Sequence, residues 1–251
     1  NTKDPEAGDA LMRVLLESYS ECEVQDATWS TSMRQSIVRL LFKKSDDVDR
    51  KFKKNYRPIT LQNLNYKIFY KVLANRLSKV VHKIVSRHQH AFMLGHVISD
   101  PIHLIRLMIE RAVHKKTKHA IVFANIMKAF DQVSHELIYQ MLETVGIPQR
   151  FIDWVRMSFK DTEVQLIVNG YLSESYSTSA GGKQGDPLFP LIFIIVMNGL
   201  IALIETDDTI KGVALPYKAG IVKIVAFAND RMKISAIFYS WDKIRFWGVK
   251  N

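Results

Sequence analysis

Three short segments carry residue types and spacings that could do chemistry. An apolar run, Ala120–Ile126, contains Asn125 near its end and leads into Lys128-Ala129-Phe130-Asp131. A loop, Gly182-Lys183-Gln184-Gly185-Asp186-Pro187-Leu188, opens the longest apolar stretch of the chain. Phe227-Ala228-Asn229-Asp230 lies between two β-patterned runs, which predicts a hairpin tip carrying Asn229 and Asp230. A carboxylate at such a tip can hold a hard divalent cation, whereas an amide oxygen can touch one without contributing charge. Other chemistries are less visible. His82, His88, His90, His96, His103, His114, His119 and His135 show no His-x-x-x-His metal spacing within one helix. The one cysteine, Cys22, excludes an internal disulfide framework and a Cys-rich zinc site, and it fits a reducing compartment, where no disulfide-linked partner is expected.

Recognisable elements must position these segments. Residues 1–30 read as a loosely amphipathic helix and a polar stretch, and Ile37–Phe42 as a short strand. Pro58 predicts an extended turn at Arg57. Tyr66, Phe69, Tyr70, Leu73, Leu77, Val80, Val81 and Ile84 follow helical spacing, so a helix is expected over Tyr66–Val85. Lys67, Lys71, Lys79 and Lys83 would share one face of it, either solvated or facing phosphates. A second helix is predicted at Pro101–Val113. A third starts behind Ser134 as N-cap and closes at Gly146 and Pro148, and a short one covers Phe151–Phe159. Asn169-Gly170 between Val164–Val168 and Tyr171–Ser175 signals a hairpin with a type I′ turn. Ile221–Phe227 and Met232–Phe238 are the strands around Asn229 and Asp230. Strands 120–126, 221–227 and 232–238 should be antiparallel neighbours with helices on one face, giving an α+β fold.

Composition sets the outer limits. The chain has 251 residues, 47% of them hydrophobic, enough for a sizeable core. Thirty-five Lys and Arg against 25 Asp and Glu leave a net charge of +10, which suits a nucleic-acid partner. Lys53, Lys54, Arg57, Lys67 and Lys71 are the expected phosphate-contacting residues. Leu188–Ile204 is uncharged but short for a bilayer span and contains Pro190, Asn198 and Gly199, so a buried helix and no membrane partner are expected. The polar N-terminus shows no signal peptide, and with the lone cysteine it fits an intracellular location, nucleus or cytoplasm.

The order of these segments resembles the reverse transcriptase domain of non-LTR (LINE-like) retrotransposons. In that family the first motif reads roughly F-x-D-x-x-K-A-F-D, the second G-x-x-Q-G-x-P-x-S-P and the third [FY]-A-D-D. Upstream, Asn55-Tyr56-Arg57-Pro58-Ile59-Thr60-Leu61, Leu73-Ala74-Asn75-Arg76-Leu77 and Gln89-His90-Ala91-Phe92 resemble further family blocks. The likeness covers about residues 36–238. It implies a polymerase palm and fingers: an N-terminal extension over 1–35, a fingers-like region over 36–119, a palm over 120–240 and a C-terminal tail over 241–251. Only 13 residues follow Phe238, so the thumb is expected to be missing. The implied partners are an RNA template with a DNA primer, or an RNA–DNA hybrid, and a dNTP. The implied cofactor is Mg²⁺, two ions held by carboxylates for phosphoryl transfer.

Matched residue by residue, the catalytic positions are Asn125, Asn229 and Asp230, and Asp230 alone remains a carboxylate metal ligand. Phe130 stands at the aromatic sugar gate, and Gln184, Gly185 and Pro187 stand in the nucleotide-binding loop. Phe189 replaces the serine of P-x-S-P, His96 replaces a usual arginine, and Asp186 adds an acid near the nucleotide's path. Metal binding is expected to be weakened and polymerase activity lost or very weak. A noncatalytic nucleic-acid binder and a translated remnant of a dead element are the competing readings.

Overall fold

The computed structural model describes residues 5–24, 28–43, 50–52, 55–117, 119–124, 126, 128–215, 220–227 and 234–240. Helices alternate with strands that pair antiparallel except for one parallel pair, without a repeating βαβ pattern, so the fold is α+β as expected. The chain forms two compact units, Asn1–Ala74 with Phe130–Phe189, and Asn75–Ala129 with Pro190–Asn251.

The first unit holds α1 (Pro5–Val24), α2 (Thr31–Arg34), β1 (Gln35–Phe42), β2 (Tyr56–Gln62) and the start of α3 (Leu64–Ser78). It continues with α5 (Ala129–Gln132), α6 (His135–Thr144), α7 (Gln149–Phe159), β4 (Glu163–Val168) and β5 (Tyr171–Leu172). Its sheet runs β2-β1-β4-β5. The expected turn at Arg57 is instead strand, with Arg57 opposite Leu41 and Pro58 opposite Leu40. Pro58 is tolerated because β2 is the edge strand and loses no ladder bond there. Asn169 and Gly170 both adopt positive φ, +52° and +88°, as a type I′ turn requires. Ser134 Oγ accepts from the Leu137 N–H at 3.3 Å, and Ile147 N–H returns to Leu142 O past Gly146 (φ +78°), so both ends of α6 close as the sequence predicts. An aromatic core joins Trp29, Phe69, Tyr70 and Trp154: Trp29 Nε1 donates to Tyr70 Oη at 2.9 Å, which donates to Trp154 O at 2.7 Å.

Helix α3 stops at Ser78, seven residues short of the expected end, and a 3₁₀ turn follows at Val81–Lys83. The β-branched pair Val80-Val81 marks the break. Lys67 and Lys71 keep their common helix face, but Lys79 and Lys83 lie beyond the helix, so the four-lysine row does not continue.

The second unit holds α4 (Ser99–His114), β3 (His119–Ala124), most of α8 (Phe189–Thr206), β6 (Val213–Ala214), β7 (Ile221–Val222), β8 (Ile224–Phe227) and β9 (Ile234–Ser240). A three-stranded antiparallel sheet runs β3-β9-β8. Met108 of α4 packs with Val213, Val222 and Val225, and Ile201 of α8 packs with Ile224 and Ala226. The segment before α4 is laid along β8: His90 N–H donates to Ala226 O at 3.0 Å, and Ala226 N–H donates to His88 O at 2.9 Å. By length and mean hydropathy (2.1) α8 could cross a membrane, yet Leu191–Val196 are all buried within the protein.

Candidate polymerase active site

In the first unit, the loop after β5 is fixed on several sides. Gly181 N–H donates to Val133 O at 2.8 Å, and Ala180 bridges Ser134. A Cβ on Gly181 would lie 2.8 Å from the Asp131 Cα and 3.0 Å from the Phe130 carbonyl oxygen, so only glycine allows this approach. A Cβ on Gly182 would run into the Phe189 ring. Phe189 is 5% exposed and packs against Phe130 (ring centroids 5.9 Å) and Phe159 (6.4 Å). His135 stacks on Phe159 at 4.0 Å and donates from Nε2 to Gly181 O at 3.0 Å. Burial holds its imidazole below the usual histidine range, so the neutral form supplies that single donor. Thr60 N–H, on the edge strand β2, donates to Gln184 O at 3.2 Å. Gly185 sits at φ +104°, a conformation that favours glycine. Phe130, Gln184, Gly185 and Pro187 therefore all belong to the neighbourhood of one loop.

Asp186 is held by hydrogen bonds on both of its carboxylate oxygens. Its Oδ1 accepts from the Leu188 and Phe189 N–H groups at 2.7 and 3.1 Å, capping the entry to α8. Its Oδ2 accepts from Tyr66 Oη at 2.6 Å. Burial pushes this carboxyl up, while Tyr66, the two amides and Lys183 oppose the shift. Lys183 places its ammonium 4.6 Å over the Tyr66 ring. Burial pulls that ammonium down to about 8, against the opposing charge of Asp186. A sequence signal for the cap exists: an Asp just before an apolar run reads as a helix start. The contact with Tyr66, 120 residues away, has no sequence signal.

Gln184 Oε1 is buried without a hydrogen-bond partner among the described residues. Arg57 and Lys71 are exposed and Lys67 is half-buried. Lys53 and Lys54 lie outside the described residues, as do Asn125, Asn229 and Asp230.

The second unit supplies the frame for those last three positions. Ala124, the residue before Asn125, pairs with Ser235, and Phe227, two residues before Asn229, pairs with Ile234. The end of β3 and the end of β8 therefore meet the start of β9 at one end of the sheet. The strands begin and end within two residues of the expected bounds, apart from a break at Lys223, whose Nζ reaches Glu205 O and Asp207 O at 2.7 and 2.8 Å.

Comparison with known proteins agrees with this arrangement. The family model "Reverse transcriptase (RNA-dependent DNA polymerase)" matches residues 42–243. The Pol polyprotein of the type-2 retrotransposable element R2DM of Drosophila melanogaster is 28% identical, over 76% of this chain and 18% of that protein. The uncharacterized 149 kDa protein of transposon TX1 of Xenopus laevis is 26% identical, over 89% and 16%. The Pol polyprotein of a type-1 element R2 of Popillia japonica is 27% identical, over 80% and 27%. The chain thus spans less than a third of the length of these relatives. Among solved structures, an apo telomerase of Candida tropicalis truncated from its C-terminal domain shares the fold, with a TM-score of 0.51 at 11% identity, over 89% of this chain and 48% of that one. Motif order, loop geometry, antiparallel sheet and family match converge, and the chain belongs to the reverse transcriptase (RNA-dependent DNA polymerase) family, as the reverse transcriptase domain of a non-LTR retrotransposon.

Proposed function

We propose that this domain keeps the family's means of holding template, primer and dNTP but has lost most or all of its polymerase turnover. The observation that carries the proposal is the donor set Asn125, Asn229 and Asp230. Reverse transcriptases as a family use divalent metal ions and bind a nucleic-acid template and primer. Hard dications such as Mg²⁺ need carboxylate charge around them. Two amides and one carboxylate oppose two dications with a single negative charge, so these residues do not fit a two-Mg²⁺ centre. If each lost carboxylate costs about 3 kcal/mol of transition-state stabilisation, the pair lowers the rate on the order of 10⁴-fold.

The binding half of the proposal rests on what the first unit retains. Gln184 Oε1 is a buried acceptor that calls for a donor, and a base or nucleotide brought against the loop would supply one. Phe130 sits beside that loop at the position assigned to the sugar gate. Arg57, Lys67 and Lys71, with Lys53 and Lys54 next to them in sequence, supply five cations for phosphates.

Primer extension on an RNA template with Mg²⁺ tests the catalytic half. The unmodified chain should stay at background, and Asn125→Asp/Asn229→Asp should recover part of the 10⁴-fold. Robust extension by the unmodified chain refutes the proposal. A salt titration of primer–template affinity tests the binding half. Five phosphate contacts should weaken affinity on the order of 10²–10³-fold between 50 and 200 mM salt. An affinity indifferent to salt rules them out.

A further inference from the structure

We propose that His90, His96 and Asp100 form a binding site for Zn²⁺, separate in its residues and its chemistry from the Asn125, Asn229 and Asp230 positions. The three side chains each offer one donor atom, and those donors all lie within 4.8 Å of one another. The chain is turned back to bring them together. Phe92 (φ +57°) and Gly95 (φ +82°) adopt left-handed conformations between the two histidines. The His90 and His96 ring centroids stand 5.3 Å apart, inclined at 47°.

Two features mark the cluster as a ligand site rather than a chance grouping. First, both ring nitrogens of His90 are buried and have no hydrogen-bond partner among the described residues. A buried imidazole left that way loses the stabilisation of at least one hydrogen bond, which a metal bond at one nitrogen would replace. Second, Asp100 is already oriented. Its Oδ2 accepts from the N–H of Val97, two residues ahead of α4, at 2.9 Å, which is the outer support expected of a ligating carboxylate.

The donor set selects the metal. Two imidazole nitrogens and one carboxylate oxygen suit Zn²⁺, with a water completing a tetrahedral site, and disfavour Mg²⁺, which takes oxygen donors. Donors on one Zn²⁺ lie roughly 3.3 Å apart, given bonds of about 2.0–2.1 Å. Rotation about the side-chain torsions of exposed His96 closes the remaining gap. The site has a structural consequence. His90 is hydrogen-bonded through its backbone to Ala226 of β8, so a bound Zn²⁺ would tie the 90–100 turn and the start of α4 to the strand that leads to Asn229 and Asp230. His96 occupies a position where the family resemblance expects arginine, a residue that does not ligate Zn²⁺, so the site would be particular to chains with this substitution.

Calorimetric titration of the chain with ZnCl₂ after chelator treatment should give one site per chain, and Co²⁺ substitution should give the visible d–d bands of tetrahedral coordination. His96→Arg and His90→Gln should each weaken Zn²⁺ by more than the 10–100-fold typical of losing an outer-sphere partner, while His103→Gln leaves it unchanged. Equal affinity in the unmodified chain, His96→Arg and His90→Gln overturns the proposal, as does absence of Zn²⁺ binding. A readout on the unmodified chain covers the case of a variant that fails to fold. Zn²⁺, but not Mg²⁺, should protect the exposed His96 from diethylpyrocarbonate, mapped by peptide mass spectrometry. An unprotected His96 at saturating Zn²⁺ overturns the assignment.

Discussion

The loop Gly181–Phe189 and the three positions 125, 229 and 230 come from the same family pattern, yet they have been treated differently by substitution. In the loop, the departures are absorbed by packing. Phe189 fills the space against Gly182 and joins Phe130 and Phe159. Asp186 is tied by three hydrogen bonds to Tyr66, Leu188 and Phe189. At positions 125 and 229, asparagines stand where the family pattern has aspartates, nearly isosteric and uncharged. The contrast separates two kinds of constraint. Loop residues are held by folding, because a changed Gly182 or Asp186 disturbs a buried contact. Metal-facing carboxylates stabilise little except the reaction, and their mutual repulsion makes their loss cheap for the fold. On the function proposed above, the domain keeps its scaffold without its full catalytic charge.

Changes within the loop should sharpen that contrast, and the largest effect is expected at Gly182. Gly182→Ala forces a methyl into the Phe189 ring and should lower stability by about 3 kcal/mol, read from the urea midpoint. Gly182→Ala/Phe189→Ala should be less destabilised than the sum of the single variants, because the clash partner is gone. Strict additivity would show that the ring is not what excludes the methyl.

The next effect is a pH dependence from Lys183. Its ammonium titrates near 8 in the folded chain, below the ordinary 10.5, because burial disfavours the charged form. Below pH 8 both states hold the proton, and the folded state carries the full desolvation cost. Between about pH 8 and 10.5 the unfolded chain binds more protons, so stability should rise with pH by on the order of 3 kcal/mol. Lys183→Met should remove that increment while retaining the aliphatic packing over Tyr66. A variant with the same pH 8–10.5 slope as the unmodified chain would mean that Lys183 is solvated.

The sequence made local features legible and left remote pairings obscure. Ser134, Gly146 and Asn169-Gly170 act within a few residues of themselves, so their cap and turn roles could be read directly. The apolar runs of β3 and β8 were equally plain, and motif order carried the α+β architecture. The parallel pairing of β1 with β4 was hidden, since Val38 and Leu166 meet across 128 residues. The early end of α3 was hidden because Val80, Val81 and Ile84 keep helical spacing after the helix has stopped. His90, His96 and Asp100 were missed for a related reason. Helical metal spacing places ligands on successive turns, whereas here two left-handed residues fold an irregular turn onto itself. For the nucleotide loop, Gln184 and Gly185 were visible as a motif, but the hydrogen bond that seats them, from Thr60, comes from a segment more than a hundred residues upstream.

The smallest effect is expected at Ser134, and it tests whether the loop depends on side chains or on backbone. Ser134 has two roles. Its hydroxyl caps α6 by accepting from Leu137 N–H at 3.3 Å, and its backbone bridges Ala180 at the start of the loop. Ser134→Ala removes only the first. The cap is exposed and its bond is long, so the loss should be near the lower end of the usual 0.5–2 kcal/mol, about 0.5 kcal/mol. Gly181 N–H still reaches Val133 O, and Gly182 still meets Phe189, so hydrogen exchange at Gly181 should slow or quicken no more than that global change allows. A local acceleration at Gly181 well beyond it would show that the hydroxyl, and not the main-chain bridge, holds the loop in register.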